Sequence, residues 1–373
     1  MMLELLASGA AATYGEPVDY TATILTLVGI GTGLTILLLI ANYFLANYGE
    51  CKLTINNDRE IVLEGGTTLL NALYASEVYI PSACGGQGTC GFCKVGVVDG
   101  GGEILPTEIP YLTADDLAKN VRLACQVKVK QDMQLKIRED YLNVKEFDTT
   151  LSEAKMVSPD CRELHFKLIE PEEMDFRPGQ YIQVRVPSGE FRAYSICSAV
   201  SSKDSMELLV RLLPGGLGST YLHEIEPGDE VQMTGPYGEF ELDTTKDLIC
   251  VGGGCGMAPM RSLVRTIHEL GTGQNVWLFF GARTPVDAMY FDEFNELAKE
   301  MPGLHVHYSM SEPQNCPEWT GETGFIHESV AHHISGDDEK QAFLCGPPLM
   351  IEATMKVLET KGLKREEVFF DEF

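Results

Sequence analysis

The sequence predicts a multidomain chain of four parts in series. These are a single transmembrane helix, a compact β-rich unit, an antiparallel β-barrel and an α/β domain on a parallel sheet. Three observations carry this reading. A stretch without charge runs from Tyr20 to Gly49. Four cysteines, Cys84, Cys90, Cys93 and Cys125, are spaced C-x5-C-x2-C, with 31 residues before the fourth. Beyond them, short strands broken by Pro-Gly turns give way near Asp247 to strands alternating with helical patterns.

The first part is residues 1–50. Ala22–Ala41 is uncharged, mostly apolar and long enough to cross a bilayer core, which takes about 20 helical residues. Gly29, Gly31 and Gly33 weaken a soluble helix, but small residues are common where membrane helices pack. Tyr20, Tyr43 and Tyr48 lie near its ends, as interfacial aromatics do. A signal peptide would start with basic residues, yet no Lys or Arg precedes Lys52. Glu4, Glu16 and Asp19 lie before the span and Lys52 and Arg59 after it. This places the large C-terminal part inside the cell: a single-pass protein of the cytoplasmic (inner) membrane, soluble domains facing the cytoplasm.

The second part, residues 51–140, holds the cysteines. Alternation over Lys52–Glu64 predicts strands, Thr67–Ser76 a short helix, and Val127–Val129 with Met133–Ile137 a closing strand pair. The loop Ser82–Cys93 is glycine-rich, which lets the backbone curl so that amides point at sulfur. Structural zinc usually comes as two short C-x2-4-C knuckles, and here there is one. Eleven cysteines in 373 residues are too few, and odd in number, for a disulfide framework. Four thiolates wrapped from two segments suit a two-iron cluster, which carries one electron. Of the other seven cysteines, most read as small hydrophobes or unpaired thiols, Cys345 being the exception.

The barrel part, residues 141–245, carries Arg192-Ala193-Tyr194-Ser195. Alternation puts Arg192 and Tyr194 on one strand face. A flavin dinucleotide needs a cation for its pyrophosphate, a flat face for its ring and a donor near the ring nitrogen that exchanges hydride, here Ser195. Gly218-Ser219-Thr220 then opens a helical turn whose amides and hydroxyls can hold phosphate. The fourth part, residues 246–373, joins an apolar strand to Gly252-Gly253-Gly254-Cys255-Gly256, where a pyrophosphate can approach a helix N-terminus. Cys345-Gly346-Pro347 repeats that junction downstream and places a thiol for a nicotinamide ring. The segment Gly281–Asp287 lacks a cationic cluster for a 2′-phosphate, which favours NADH over NADPH. His305, His307, His332 and His333 show no partner in sequence and are assigned no role.

The chain carries 55 Asp plus Glu against 28 Lys plus Arg, a net charge of −27. A phosphate backbone repels such a surface, so nucleic acid is excluded as a partner. No Ser-His-Asp or paired-carboxylate pattern supports a hydrolase.

The order of these motifs resembles the ferredoxin–NAD(P)H reductase superfamily with an N-terminal 2Fe-2S domain. With the span and Gly100–Glu108, Arg122–Gln126, Gly254–Ser262, Thr323–His327 and Cys345–Pro348, it is similar to the family of F subunits of sodium-translocating NADH:quinone oxidoreductases. That resemblance implies a β-grasp ferredoxin domain, an FAD barrel and an NADH domain. It implies a [2Fe–2S] cluster on Cys84, Cys90, Cys93 and Cys125, and FAD on Arg192, Tyr194, Ser195, Gly218, Ser219 and Thr220. It implies NADH on Gly252, Gly253, Gly254, Gly256, Cys345, Gly346 and Pro347, with Ser195 and Cys345 beside the reacting atoms and Phe373 over the flavin. It further implies membrane redox subunits as partners, and ubiquinone reduction with sodium transport by the complex. Two features depart from the pattern. Only Pro187–Phe191 separates Tyr181–Val186 from the Arg192 strand, where the family carries a long insertion, and Cys255 stands where alanine is usual. Soluble oxygenase reductases also lack the insertion, so the reductase component of an oxygenase is the alternative, followed by a non-catalytic electron carrier.

Overall fold

The computed structural model describes residues 20–45, 48–336 and 339–372. Phe373 and the acidic residues before the span lie outside them. Helix α1 (Tyr20–Leu45) is 26 residues, about 39 Å at 1.5 Å per residue, longer than a roughly 30 Å hydrocarbon core. Its residues from Tyr20 to Ile40 are exposed, so nothing among the described residues covers this apolar surface. The hydroxyls of Thr26 and Thr35 donate back to Ala22 O and Gly31 O, so neither presents an unmet donor to lipid.

The second unit is a mixed sheet of β1 (Glu50–Ile55), β2 (Arg59–Glu64), β3 (Lys94–Asp99), β4 (Val121–Leu123) and β5 (Met133–Lys136), ordered β2-β1-β5-β3-β4. β1 and β5 run parallel. Cys51, Leu53 and Ile55 alternate into the core against Leu69, Leu70, Ala72 and Leu73 of α2 (Leu69–Tyr74). Short helices α3 (Ala114–Ala118) and α4 (Glu139–Leu142) complete the unit. The expected strand at Val127–Val129 is only an isolated bridge, Thr68 to Lys128. Val127 and Val129 are buried, but their backbone bonds go to Leu123 and to Gly66, Thr67 and Leu69 around the start of α2 rather than to a ladder.

The barrel comprises β6 (Lys145–Met156), β7 (Cys161–Glu170), β8 (Tyr181–Arg185), β9 (Phe191–Ser195), β10 (Ser205–Arg211) and β11 (Glu230–Tyr237), ordered β10-β7-β6-β11-β8-β9 and antiparallel throughout. A bridge from Ile196 to Leu208 joins the end of β9 to β10 and closes it. Helix α5 (Leu217–Glu224) packs on this core through Leu222.

The fourth part is a parallel sheet of β12 (Asp247–Gly253), β13 (Val276–Ala282), β14 (Leu304–Met310), β15 (Glu322–Thr323), β16 (Lys340–Gly346) and β17 (Val368–Glu372). Helices α6 (Met257–Leu270), α7 (Phe291–Glu300), α8 (Ile326–His333) and α9 (Pro348–Thr360) cover it. The order β15-β14-β13-β12-β16-β17 reverses direction between β12 and β16, where such sheets open a ligand crevice. Arg261 of α6 fastens this domain to the barrel. It is 6% exposed, pairs with Glu207 of β10 and Glu293 of α7, and lies 4.4 Å over the Tyr290 ring.

Candidate active site and cluster ligands

The loop between α2 and β3 turns on Gly85, Gly86, Gly88 and Gly91, all at positive φ, a region that side-chain-bearing residues rarely adopt. That curl brings Cys84 Sγ within 3.3 Å of Cys90 Sγ, well beyond a disulfide bond of about 2.05 Å. Cys93 and Cys125 form a second hydrogen-bonded pair, and all four thiols are free. The hydrogen bond from Cys90, then bonds from Thr89, pull Cys84 down to about 4. The bond from Cys93, then Gln126 and the Gly88 amide, pull Cys125 down to about 7. Cys90 and Cys93 are pushed up as donors in those bonds and by burial. Two thiol pairs, with amides directed at sulfur, fit a two-iron cluster with two ligands on each iron.

A buried ion pair braces the fourth cysteine. Glu108 is 0% exposed and takes hydrogen bonds from Arg122 Nε (3.0 Å), Arg122 Nη2 (2.6 Å), Leu105 N (2.9 Å) and Leu123 N (2.9 Å). Arg122 also donates to the carbonyls of Gly101, Gly102 and Glu103. The strand leading to Cys125 is thereby tied to the Gly100–Glu108 loop.

On β9, Arg192, Tyr194 and Ser195 are half-buried. Arg192 Nη2 bonds Glu190 Oε2 at 2.7 Å, and its Nη1 leans on the cluster loop so closely that a Cβ on Gly85 would collide with it. Gly218 packs against the same strand: a Cβ there would collide with the Tyr194 hydroxyl and lie 2.8 Å from Arg192 Cγ. The Ser219 hydroxyl bonds the backbone of Leu213 and Gly216, and Thr220 N bonds Gly216 O. The first-turn amides of α5 thus stand beside Arg192 as an anion cradle. Burial pushes the Tyr194 phenol up, so it stays neutral.

The cluster unit docks on this barrel. Ser82 N donates to Gln183 Oε1 (2.5 Å), Gln183 Nε2 donates to Ile80 O (3.3 Å), and the Tyr79 hydroxyl donates to Glu146 (3.1 Å). Phe92, between Cys90 and Cys93, meets Tyr181 edge-on at 6.4 Å, and Tyr181 is the ladder partner of Ser195.

At the switch point Gly252 of β12 faces Cys345 of β16. Gly256 lies against the Cys345 carbonyl with no room for a Cβ. A cleft of about 520 Å³ opens here, lined by Gly253, Gly254 and Pro347 from the two junctions and by Asp160 and Arg211 from the barrel. Gly252, Gly256, Cys345 and Gly346 sit behind that lining. Burial, then the charge of Asp371, pushes the Cys345 thiol well up, so it is neutral. Asp371 is the ladder partner of Cys345, and burial raises its carboxyl to about 6. At the far rim Arg283 pairs with Asp287 at 3.3 Å.

Glu108, Arg122, Gln183, Tyr181 and Asp371 are residues to which the sequence alone assigns no role. Glu108 and Arg122 fall inside motifs that carry the resemblance, so only their pairing was hidden. Gln183 and Tyr181 act across a domain junction, which no local pattern marks.

Comparison with known proteins follows the same division. A 2Fe-2S iron-sulfur cluster binding domain matches residues 53–130, an oxidoreductase FAD-binding domain 148–242, and an oxidoreductase NAD-binding domain 250–356. The Amycolatopsis cytochrome P450 reductase GcoB superposes with a TM-score of 0.70 at 28% identity, covering 87% of this chain and 98% of its own. The ferredoxin reductase in carbazole 1,9a-dioxygenase gives 0.67 at 26%, with the same coverage. Fold and site therefore define an NADH oxidoreductase carrying FAD and a 2Fe-2S cluster. Over nearly its whole length the chain is also similar to one component of a membrane complex. The F subunit of the Na(+)-translocating NADH-quinone reductase of Pseudomonas paraeruginosa is 34% identical over 400 residues, covering 95% of this chain and 97% of that one. Its counterpart in Idiomarina loihiensis is 34% identical over 403 residues with the same coverage. The chain belongs to this family of Na(+)-translocating NADH-quinone reductase F subunits. Both alignments are longer than the 373 residues present here, so the relatives hold residues that this chain lacks.

Proposed function

We propose that this protein is the electron-input subunit of a membrane-bound, sodium-translocating NADH:quinone reductase. When bound, FAD would supply acceptance of a hydride pair from NADH, and the 2Fe-2S cluster release of single electrons. The chain's residues divide that work. Gly252–Gly254, Gly256 and the Cys345–Pro347 turn seat the dinucleotide at the switch point, where buried, neutral Cys345 backs the lining beside the nicotinamide. Arg192 and the first turn of α5, Gly218 to Thr220, hold the flavin pyrophosphate. Tyr194 would offer its ring to the flavin, and Ser195 a hydroxyl to the ring edge. Cys84 and Cys90 hold one iron, and Cys93 and Cys125 the other. Helix α1 anchors the assembly with its soluble domains in the cytoplasm, delivering electrons to integral-membrane redox subunits of the same complex.

The docking of the cluster loop on the flavin strand carries this reading: Arg192 against Gly85, and Phe92 against Tyr181, whose ladder partner is Ser195. The test is anaerobic addition of NADH to the detergent-purified chain. Bleaching of flavin absorbance, followed by the electron paramagnetic resonance signal of a reduced 2Fe-2S centre, supports it. Flavin bleaching with a cluster that stays oxidised contradicts it.

The reductase component of an oxygenase is disfavoured. GcoB and the carbazole enzyme leave about 13% of this chain uncovered, whereas the membrane-complex relatives reach 95%.

A further inference from the structure

Away from the redox path, three side chains converge without a role. His307 on β14, Glu322 on β15 and His333 at the end of α8 present Nδ1, a carboxylate oxygen and Nε2, all within 4.8 Å of one another. His307 Nδ1 lies 3.0 Å and His333 Nε2 2.9 Å from the same atom, Glu322 Oε1. The arrangement is held from outside. Ser329 Oγ donates to Glu322 Oε2, Trp319 Nε1 donates to Glu322 O (2.8 Å), and the His307 ring stacks on Phe279 at 4.9 Å. As a pure hydrogen-bond cluster it requires both imidazoles to aim N–H groups at one oxygen with ring centroids 3.8 Å apart. One cation in place of the two protons relieves that crowding and turns both nitrogens into ligands.

We propose that His307, Glu322 and His333 form a binding site for a divalent metal ion of the zinc class, with one coordination position left to water. Two imidazoles and a carboxylate are a recognised zinc donor set with an open fourth position. Tetrahedral ligands at about 2.0–2.2 Å stand roughly 3.3–3.6 Å apart. The site therefore has to open by about half an ångström. The side chains are 16%, 35% and 29% exposed, so a hydrated ion can reach them. The ion would clip β14, β15 and α8 together. Residues just after Glu322, namely Gly324, Phe325, Ile326 and His327, line the nucleotide cleft, and Ser309 Oγ of β14 already bonds Gly324 O at 2.8 Å. The metal thereby fastens the rim of the NADH cleft to the sheet.

The test uses full-length protein with cluster and FAD loaded, so that the four cluster cysteines are occupied. Zinc chloride is titrated calorimetrically into the wild type, Glu322→Gln, His307→Gln, His333→Gln and the neighbouring control His332→Gln. One zinc is expected to bind wild type and control in the micromolar range or tighter. Each of the three other variants should lose more than the roughly 10–100-fold that outer-shell changes cost. Unchanged flavin and cluster absorbance shows that the variants are folded. Hydrogen exchange gives a second readout: zinc should protect residues 324–327 in the wild type and not in Glu322→Gln. Equal zinc affinity across all five proteins, or no binding by the folded wild type at millimolar zinc, overturns the proposal.

Discussion

Replacing Glu108 by alanine should cost the protein its cluster while sparing its flavin. The carboxylate is 0% and Arg122 4% exposed. Removing it leaves a buried guanidinium facing only the carbonyls of Gly101, Gly102 and Glu103, and strips Leu105 N and Leu123 N of their acceptor. Breaking a buried pair from one side costs about 3–5 kcal/mol. At about 1.4 kcal/mol per tenfold, the ferredoxin unit opens two to three and a half orders of magnitude more often. Each opening frees Cys125, which follows Arg122 by three residues. The assay is loss of cluster absorbance under a chelator, with flavin absorbance recorded in parallel. The variant should bleach at least 100-fold faster, by the lower end of that energy, with flavin retained. Bleaching at the wild-type rate would show that the ion pair does not secure the fourth ligand. The pH dependence has a definite sign. Burial opposes ionisation of Glu108, but Arg122 and the two amides outweigh it and hold its carboxyl below the usual range. The stabilisation is complete above the unfolded pKa of about 4.3 and disappears as pH falls through the lower folded value. The gap between wild type and Glu108→Ala should be full at pH 7 and narrow as pH falls below about 4.3.

Other positions test the remaining modules. Gly218→Val puts a side chain into Tyr194 and Arg192, so the purified flavin-to-protein ratio should fall at least about fivefold, as overpacking of about 1–3 kcal/mol implies, with the cluster retained. Gly256→Ala drives a Cβ into the Cys345 carbonyl; KM for NADH should rise by about tenfold or more while dye reduction at saturation changes less. Arg261→Met leaves Glu207 and Glu293 at the barrel junction with Arg265 alone and should destabilise the flavin and nucleotide domains together, by less than the roughly 3–5 kcal/mol of a fully stranded buried charge, read from denaturant unfolding. Asp287→Asn frees Arg283 at the cleft rim and should narrow the preference for NADH over NADPH in steady-state kinetics.

Much of this architecture was legible because it is local. The C-x5-C-x2-C spacing, the alternation on β9 and the glycine runs after β12 each occupy about a dozen residues or fewer, and their geometry follows from backbone chemistry. The switch point was legible as two separate junctions. That Gly252 and Cys345 are ladder partners required the strand order. Val127–Val129 misled because burial alternates there as in a strand, while the hydrogen bonds go to Leu123 and to the start of α2. The histidines misled in the other direction. Their carboxylate partner Glu322 is 15 residues from His307 and 11 from His333, on a two-residue strand that no periodicity reveals. The contacts seating the cluster loop, Gln183 with Ser82 and Tyr181 with Phe92, join residues about 90–100 apart and depend wholly on domain docking.

Hydride acceptance and single-electron exit are separate functions of one chain, joined at the Arg192–Gly85 contact. Stopped-flow mixing of NADH with wild type and Cys90→Ser, monitored at the flavin band and by reduction of a one-electron acceptor, tells the two apart. Flavin reduction is expected at the wild-type rate in Cys90→Ser, with loss of the 2Fe-2S resonance signal and of quinone reduction in the assembled complex. Slowed flavin reduction in a variant that still binds FAD, or quinone reduction that survives without the cluster, would mean that the two functions are not divided in this way.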